Sequence, residues 1–191
     1  METPPTSTHR LFIGLPVPAP VGKEIIDWAT RVLPHEYGRI LAPDSLYLSV
    51  AFFGKATPTH REQLIEVVEG VSLAKLTVQT AGTCLCRHGA LAIDLHDQTW
   101  TKYFEHFPMW APPGHFMHTV RKIEKELGTH YERHDVPHIT FARIPKENRK
   151  TEIEPVPPSF QFEFDRVCLY ESHLVEGGSQ YQVIAECPLR T

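Results

Sequence analysis

The sequence predicts a mixed α+β fold built on antiparallel sheets. The candidate elements follow the order strand–helix–strand–helix–strand–strand–helix–strand–strand–strand, which breaks the regular strand–helix alternation of a doubly wound parallel sheet. Residues 90–95 and 160–164 alternate apolar and polar side chains, as strands with one buried face do. A chain of 191 residues with 41% hydrophobic residues is long enough to form one sizeable core.

The first half of the chain predicts two strands, each followed by a helix. Residues 10–17 form an apolar run that stops at prolines, and an apolar stripe at helical spacing follows over residues 21–33. Residues 46–54 are rich in strand-forming side chains and end at a glycine. Residues 59–62 resemble a capping box, which predicts that the second helix begins there and continues to Val71.

The second half predicts one helix and a larger number of strands. Phe116, Val120, Ile123 and Leu127 form the apolar stripe of that helix, which follows a proline-rich and aromatic loop. A change of phase at Asp165 predicts a bulge. The strands are expected at residues 75–83, 90–95, 136–144, 160–169 and, after a Gly177-Gly178 turn, 181–187.

Composition limits the possible partners. The net charge of −4 argues against long duplex DNA, although one local basic site would still bind a small anion or an RNA end. Apolar runs are too short for a membrane helix, so we expect no membrane partner. The four cysteines are expected to be free thiols in a reducing cytoplasm. We expect residues 1–9 to be a flexible tail and 10–191 a single bilobal domain that remains a monomer.

An imperfect internal repeat points to a functional site. Residues 47–52 align with residues 138–143, and the first five positions of both read ring, aliphatic, hydroxyl, apolar, alanine; the two segments start 91 residues apart. Because side chains alternate along a strand, His138 shares a face with Thr140, and Tyr47 shares a face with Ser49. If the halves pack as pseudo-symmetric lobes, these two polar faces meet across a central cleft.

Such a cleft would suit a phosphate group. Hydroxyls donate to the non-bridging oxygens, and an imidazole exchanges protons near neutral pH. Alternation alone places Arg143 on the face opposite His138, so Arg143 reaches the cleft only where a twist or bulge redirects it. A hydrogen-bonded core role for His138 and a core aromatic role for Tyr47 remain the alternatives.

The chain resembles the two-histidine (2H) phosphoesterases, specifically the bacterial and archaeal LigT-type RNA 2′,3′-cyclic phosphodiesterases, also named 2′-5′ RNA ligases. The resemblance extends over about residues 10–185, with its main markers at 10–14, 46–54, 137–143 and 169–172. It implies two α+β lobes with antiparallel sheets around a central cleft, one His-x-Thr/Ser motif from each lobe, and chemistry without a metal or other cofactor.

The resemblance also implies residue roles, with one departure. In the family, one motif histidine activates water and the other protonates the departing ribose oxygen, but Tyr47 occupies the first histidine position here. His138 is the candidate base, and Tyr47 or bulk water would be the acid. Thr140 and Ser49 would hold the phosphate, and Arg143 would add positive charge.

Phe12 is the remaining candidate site residue. Family members use aromatic side chains near the first strand, so the resemblance implies that Phe12 lines the cleft and stacks on a base. Packing in the core is the alternative for this ring.

The resemblance implies a function of the same kind. The expected activity opens a terminal RNA 2′,3′-cyclic phosphate to a 2′-phosphate, and its reversal with a 5′-hydroxyl end would give 2′-5′ ligation. The expected partners are RNA 3′ ends or small nucleotides. A module that binds RNA ends without turnover is the alternative that Tyr47 favours. A phosphodiesterase that acts on another cyclic or 2′-5′-linked nucleotide is the third candidate function.

Overall fold

A computed structural model describes residues 8–86, 89–108, 111–129, 137–148, 156–176 and 178–191. Residues 1–7 of the expected tail, together with Val136 and Gly177, lie outside the described residues. The helices and strands are β1 (His9–Pro16), α1 (Ala19–Val32), β2 (Arg39–Ile40), β3 (Tyr47–Ala56), α2 (Pro58–Glu69), β4 (Leu76–Cys86), β5 (Ala90–Leu95), α3 (Asp97–His106), α4 (Phe116–Glu126), β6 (His138–Arg143), β7 (Gln161–Phe164), β8 (Arg166–Val175) and β9 (Gly178–Pro188).

The strands of the described residues form one antiparallel sheet in the order β7-β4-β5-β6-β3-β1-β8-β9, with β2 paired to β6. Strands β6 and β3 are joined through one register pair, Leu48 opposite Ile139. The sheet therefore consists of two four-stranded halves, β7-β4-β5-β6 and β3-β1-β8-β9, which meet at the two repeated segments. The predicted α+β class with two pseudo-symmetric antiparallel lobes is confirmed.

Helices α1 and α4 each pack on a strand from the other half of the chain. Helix α1 comes before the first repeated segment but packs on β6, where the rings of Trp28 and Phe141 lie 5.3 Å apart. Helix α4 comes before the second repeated segment but packs on β3. Each half of the chain thus buries apolar side chains against the other half, which ties the two lobes into one core.

Several sequence predictions about individual elements need correction. Helix α3 and strand β2 were not predicted. Thr57, not Thr59, caps helix α2, and the partner that completes its capping box is His60. Asp165 does not form a bulge: it lies between β7, which pairs with β4, and β8, which pairs with β1 and β9. The break in phase therefore marks a change of partner strand.

Cys168 is buried and Cys187 is half-buried, both as free thiols, so the prediction of free thiols is confirmed for these two. Within the described ranges, no helix is long and apolar enough to span a membrane.

Candidate functional site

The two repeated segments are neighbours at the centre of the sheet. Leu48 and Ile139 face each other and are fully buried against the helices. Extending this antiparallel register by one residue on each side places Tyr47 beside Thr140 and Ser49 beside His138, on the opposite face. All four of these side chains are at least partly exposed. The pairing thus brings the two polar faces of the repeat together.

Both strands carry a bulge at the same position of the repeat. On β3, Ser49 pairs with Gly14 and Ala51 with Ile13, which leaves Val50 without a partner. On β6, the register shift falls between Thr140 and Ala142. An extra residue on one strand reverses the alternation of the side chains beyond it. The repeat is therefore structural as well as sequential.

The bulge on β6 corrects the predicted direction of Arg143. Simple alternation places Arg143 on the face opposite His138, but the extra residue returns it to the face of His138 and Thr140. The side chain of Arg143 is exposed, and its charge lowers the pKa of Tyr47. Arg143 therefore belongs to the same face as the four motif side chains.

Phe12 lies under this face in an aromatic cluster. Only 3% of its surface is exposed, and its ring centroid lies 4.6 Å from that of Tyr47 and 4.7 Å from that of Tyr170, on which it stacks. Little of the Phe12 ring is left to contact a base. Its register partner Phe52, at the position of the repeat that Arg143 occupies on β6, is 38% exposed and offers the accessible ring.

Tyr47 is held in place by neighbours on β1 and β9. Gly14 gives its ring room, because a Cβ at that glycine would lie 3.3 Å from Tyr47 Cδ2 and 3.2 Å from the Leu48 carbonyl oxygen. Tyr181 packs against Tyr47 edge to face with the ring centroids 5.5 Å apart. A larger residue at Gly14 would therefore require the Tyr47 ring and the Leu48 carbonyl to shift by a few tenths of an ångström.

The environment of Tyr47 keeps its hydroxyl protonated. Burial raises the pKa of Tyr47 well above its ordinary value, and the charge of Tyr181 and the hydrogen bond with it add to the rise. Arg143 opposes the rise without cancelling it. Because the phenolate is disfavoured, Tyr47 can donate a hydrogen bond to an anion but cannot act as a base near neutral pH.

Asp94 is a candidate site residue that sequence reasoning missed. It is directly opposite His138 in the β5–β6 ladder, and both side chains are partly exposed. Directly opposed residues in an antiparallel pair have Cβ atoms about 4.5–5.5 Å apart and point to the same face. A carboxylate at this position can orient an imidazole. The sequence pattern could have indicated Asp94, because this residue faces outward between Ile93 and Leu95, which are buried.

A cavity of about 720 Å³ opens beyond the Arg143 end of β6. Arg39, which the sequence did not single out, lines it together with Arg143, His35 and Glu36. Among the described residues, no cluster of three or more histidine, cysteine or acidic side chains is placed to hold a metal ion.

Comparison with solved structures defines the class of fold. Escherichia coli LigT in complex with 3′-AMP superposes with a TM-score of 0.70, covering 96% of this chain and 99% of LigT at 21% identity. A protein described as a phosphoesterase superposes with a TM-score of 0.71 over 96% of this chain and 99% of its own, also at 21% identity. The chain has the LigT-like 2H phosphoesterase fold, so the predicted resemblance is confirmed at the level of the fold.

A similar protein is also found by sequence. The RNA 2′,3′-cyclic phosphodiesterase of Escherichia coli strain K12 is 34% identical over 62 residues, which are 32% of this chain. The match spans about a third (35%) of that relative's length. No protein-family model matches the chain. Escherichia coli LigT has also been solved with NADP⁺, ATP and phosphate.

Proposed function

We propose that this protein is a metal-independent cyclic phosphodiesterase that opens a terminal RNA 2′,3′-cyclic phosphate to a 2′-phosphate. One observation carries the proposal: the His138-x-Thr140 and Tyr47-x-Ser49 segments lie side by side with their polar side chains on one face. An imidazole, two hydroxyls and the Arg143 guanidinium together suit a phosphodiester. The similarity to an RNA 2′,3′-cyclic phosphodiesterase supports this choice of substrate.

In the proposed reaction, His138 takes a proton from water as the water oxygen attacks phosphorus. The bond between phosphorus and the ribose 3′ oxygen breaks, which leaves a 2′-phosphate. The 3′ oxygen takes up a proton and becomes a hydroxyl. The raised pKa of Tyr47 makes the phenolate unfavourable, so we assign bulk water as the source of this proton. Tyr47 instead donates a hydrogen bond that stabilises the departing 3′ oxygen.

The remaining motif side chains bind the phosphate. Thr140 and Ser49 donate hydrogen bonds to its non-bridging oxygens, and Arg143 offsets the charge that builds up as water attacks. With a 5′-hydroxyl RNA end in place of water as the nucleophile, the same ring opening would form a 2′-5′ linkage. The free thiols of Cys168 and Cys187 favour a reducing compartment, so we place this activity in the cytoplasm, carried by a monomer.

The test is hydrolysis of a short RNA that ends in a 2′,3′-cyclic phosphate, measured in EDTA. We expect the wild type to turn over and His138→Ala to lose about 10²–10⁴-fold in rate, because the base is gone. His106→Ala is the matched control, since His106 lies on α3, which packs on β4. Turnover that survives in His138→Ala would overturn the assignment of the base.

A binding module without turnover is the second candidate. It is favoured by the replacement of the first motif histidine with Tyr47, which packs into the aromatic cluster of Phe12, Tyr170 and Tyr181. Tight binding of a 2′-phosphate without hydrolysis by wild type, with hydrolysis gained in Tyr47→His, would select this candidate. Hydrolysis restricted to another cyclic or 2′-5′-linked nucleotide in a substrate panel would select the third function.

A further inference from the structure

Two arginines face each other at the end of the proposed site. Strand β2 is only two residues long, yet it places Arg39 directly opposite Arg143 of β6. Directly opposed residues in an antiparallel pair have Cβ atoms about 4.5–5.5 Å apart, and like charges in such a pair repel. Gly38 allows this approach, because a Cβ there would lie 2.7 Å from the Arg143 carbonyl oxygen.

No carboxylate of the described residues neutralises this pair. Neither Arg39 nor Arg143 forms an ion pair with any acidic residue in the part of the chain that the structure describes. Glu36 lines the same cavity, but its side chain is exposed and makes no contact with either guanidinium within the ion-pair distance. The two positive charges are therefore available to an anion.

The Arg39 side chain also bridges the two lobes. Its guanidinium lies over Gly178, at the start of β9, where a Cβ would be only 2.8 Å from Nη2 and 3.0 Å from Nη1. Gly178 has a φ of 148°, which favours glycine. The cationic group thus reaches from the β6 half of the sheet to the β8–β9 hairpin of the other half, at the edge of the proposed cleft.

We propose that Arg39 and Arg143 bind a second phosphate group of the substrate, the phosphodiester on the 5′ side of the nucleotide that carries the cyclic phosphate. This inference rests on the proposed function for the position of the first phosphate. Each guanidinium can give a phosphate two parallel hydrogen bonds, and the negative charge of the phosphodiester would offset the repulsion between the two guanidinium groups. The substrate would then be an RNA end or a 5′-phosphorylated nucleotide rather than a bare nucleoside cyclic phosphate.

The dimensions of the cleft support a separate position for this phosphate. Arg143 follows Thr140 by three residues, which at the rise of a strand is about 10 Å. That span separates the reacting phosphate, between Thr140 and Tyr47, from the Arg39 end of the cavity. Arg143 lies between the two positions, since its charge acts on Tyr47 and it pairs with Arg39, so it can contact both phosphates while Arg39 contacts only the second. The cavity of about 720 Å³ falls in the size range of sites for small ligands, about 300–1,000 Å³.

Calorimetric titration with two nucleotides tests the proposal. Adenosine 3′,5′-bisphosphate carries the second phosphate and adenosine 3′-monophosphate lacks it. We expect the wild type to bind the bisphosphate more tightly, and Arg39→Gln to reduce that ratio of affinities by about tenfold, because a charge-assisted contact is lost. Arg31→Gln, which removes an exposed arginine from the end of α1, is the matched control and should keep the ratio.

The outcomes separate this inference from the proposed function. A ratio that is unchanged in Arg39→Gln, equal binding of both nucleotides by wild type, or no binding of either overturns the second phosphate site. Inorganic phosphate titrated into the adenosine 3′-monophosphate complex identifies the source: if it reproduces the full gain, the pair binds a free anion and the assignment to the substrate chain is wrong. Binding through Arg39 without hydrolysis of any cyclic phosphate would instead refute only the proposed activity.

Discussion

Leu48 and Ile139 lie directly opposite each other and join the two halves of the sheet. They are the second residues of the two repeated segments, so the pair marks the axis of the internal pseudo-symmetry. Under this pseudo-symmetry, the pair of Tyr47 on β3 and Pro16 on β1 corresponds to the pair of His138 on β6 and Asp94 on β5. The symmetry holds for the backbone and both bulges, but the chemistry differs, because one half presents a phenol and the other an imidazole beside a carboxylate.

The hydroxyl of Tyr47 can be tested without changing the shape of its ring. Tyr47→Phe removes the proposed donor to the 3′ oxygen, so we expect kcat/KM on the cyclic phosphate to fall by about 10–100-fold, the usual loss for a hydrogen bond to a charged group. Tyr181→Phe removes only the partner phenol and should have a smaller effect. Equal rates for wild type and Tyr47→Phe would exclude Tyr47 from the reaction.

Asp94 is expected to act through His138. Asp94→Asn should lower kcat by about tenfold or more, because the imidazole is less firmly oriented, while KM changes little. The diagnostic measurement is a double-mutant cycle with His138→Ala. If Asp94 positions His138, adding Asp94→Asn to His138→Ala causes no further loss. Additive losses would mean that Asp94 acts elsewhere.

Phe52 and Phe12 are expected to respond differently to truncation. Phe12→Ala should destabilise the fold by about 3–5 kcal/mol, because its ring is buried among Tyr47, Tyr170 and Tyr181. Phe52→Ala should leave the stability of the fold closer to that of the wild type. If a base stacks on this ring, the substitution should weaken the binding of adenosine 3′-monophosphate by about 1–3 kcal/mol. Denaturant unfolding and calorimetry measure the two effects. Unaltered affinity in Phe52→Ala would show that no base uses this ring.

Glu171 is expected to make stability depend on acid pH. Burial alone would raise the pKa of this carboxyl, but the hydrogen bond and charge of His9, 2.6 Å away, and the charge of Arg61 outweigh burial and lower it. A lowered folded-state pKa adds stability above the unfolded value of about 4.3, and that stability disappears as the pH falls through the folded value.

Glu171→Gln should therefore unfold at a lower temperature than wild type at pH 7. The difference between the two melting temperatures should shrink once the pH falls below the unfolded value of about 4.3 and through the lowered folded value, where the wild-type carboxyl becomes protonated. Glu176→Gln, at the exposed end of the same hairpin, is the control. A gap that stays constant from pH 7 to pH 3 would contradict the role given to Glu171.

The periodicity of the side chains was sufficient to predict most helices and strands and about half of the candidate site residues. Strand β5 was predicted with the bounds that it has, because its alternation is strong. The repeat identified His138, Thr140, Tyr47 and Ser49, which share a face in the structure. Helix α3 was missed because its sequence holds few apolar residues, and its N-terminus is capped by His96 rather than by a typical capping residue. A two-residue strand such as β2 leaves no pattern to detect.

The sequence by itself determined the fold class, the repeat and the identities of the motif side chains, since these depend on composition and local period. Only the tertiary structure decided which way Arg143 points, because the bulge that turns it is seen only in the pairing of β6 with β5. Pairing also placed Asp94 beside His138, brought Arg39 opposite Arg143 and buried Phe12 while exposing Phe52. Contacts between residues far apart in the chain depend on strand order and register, which local spacing does not encode.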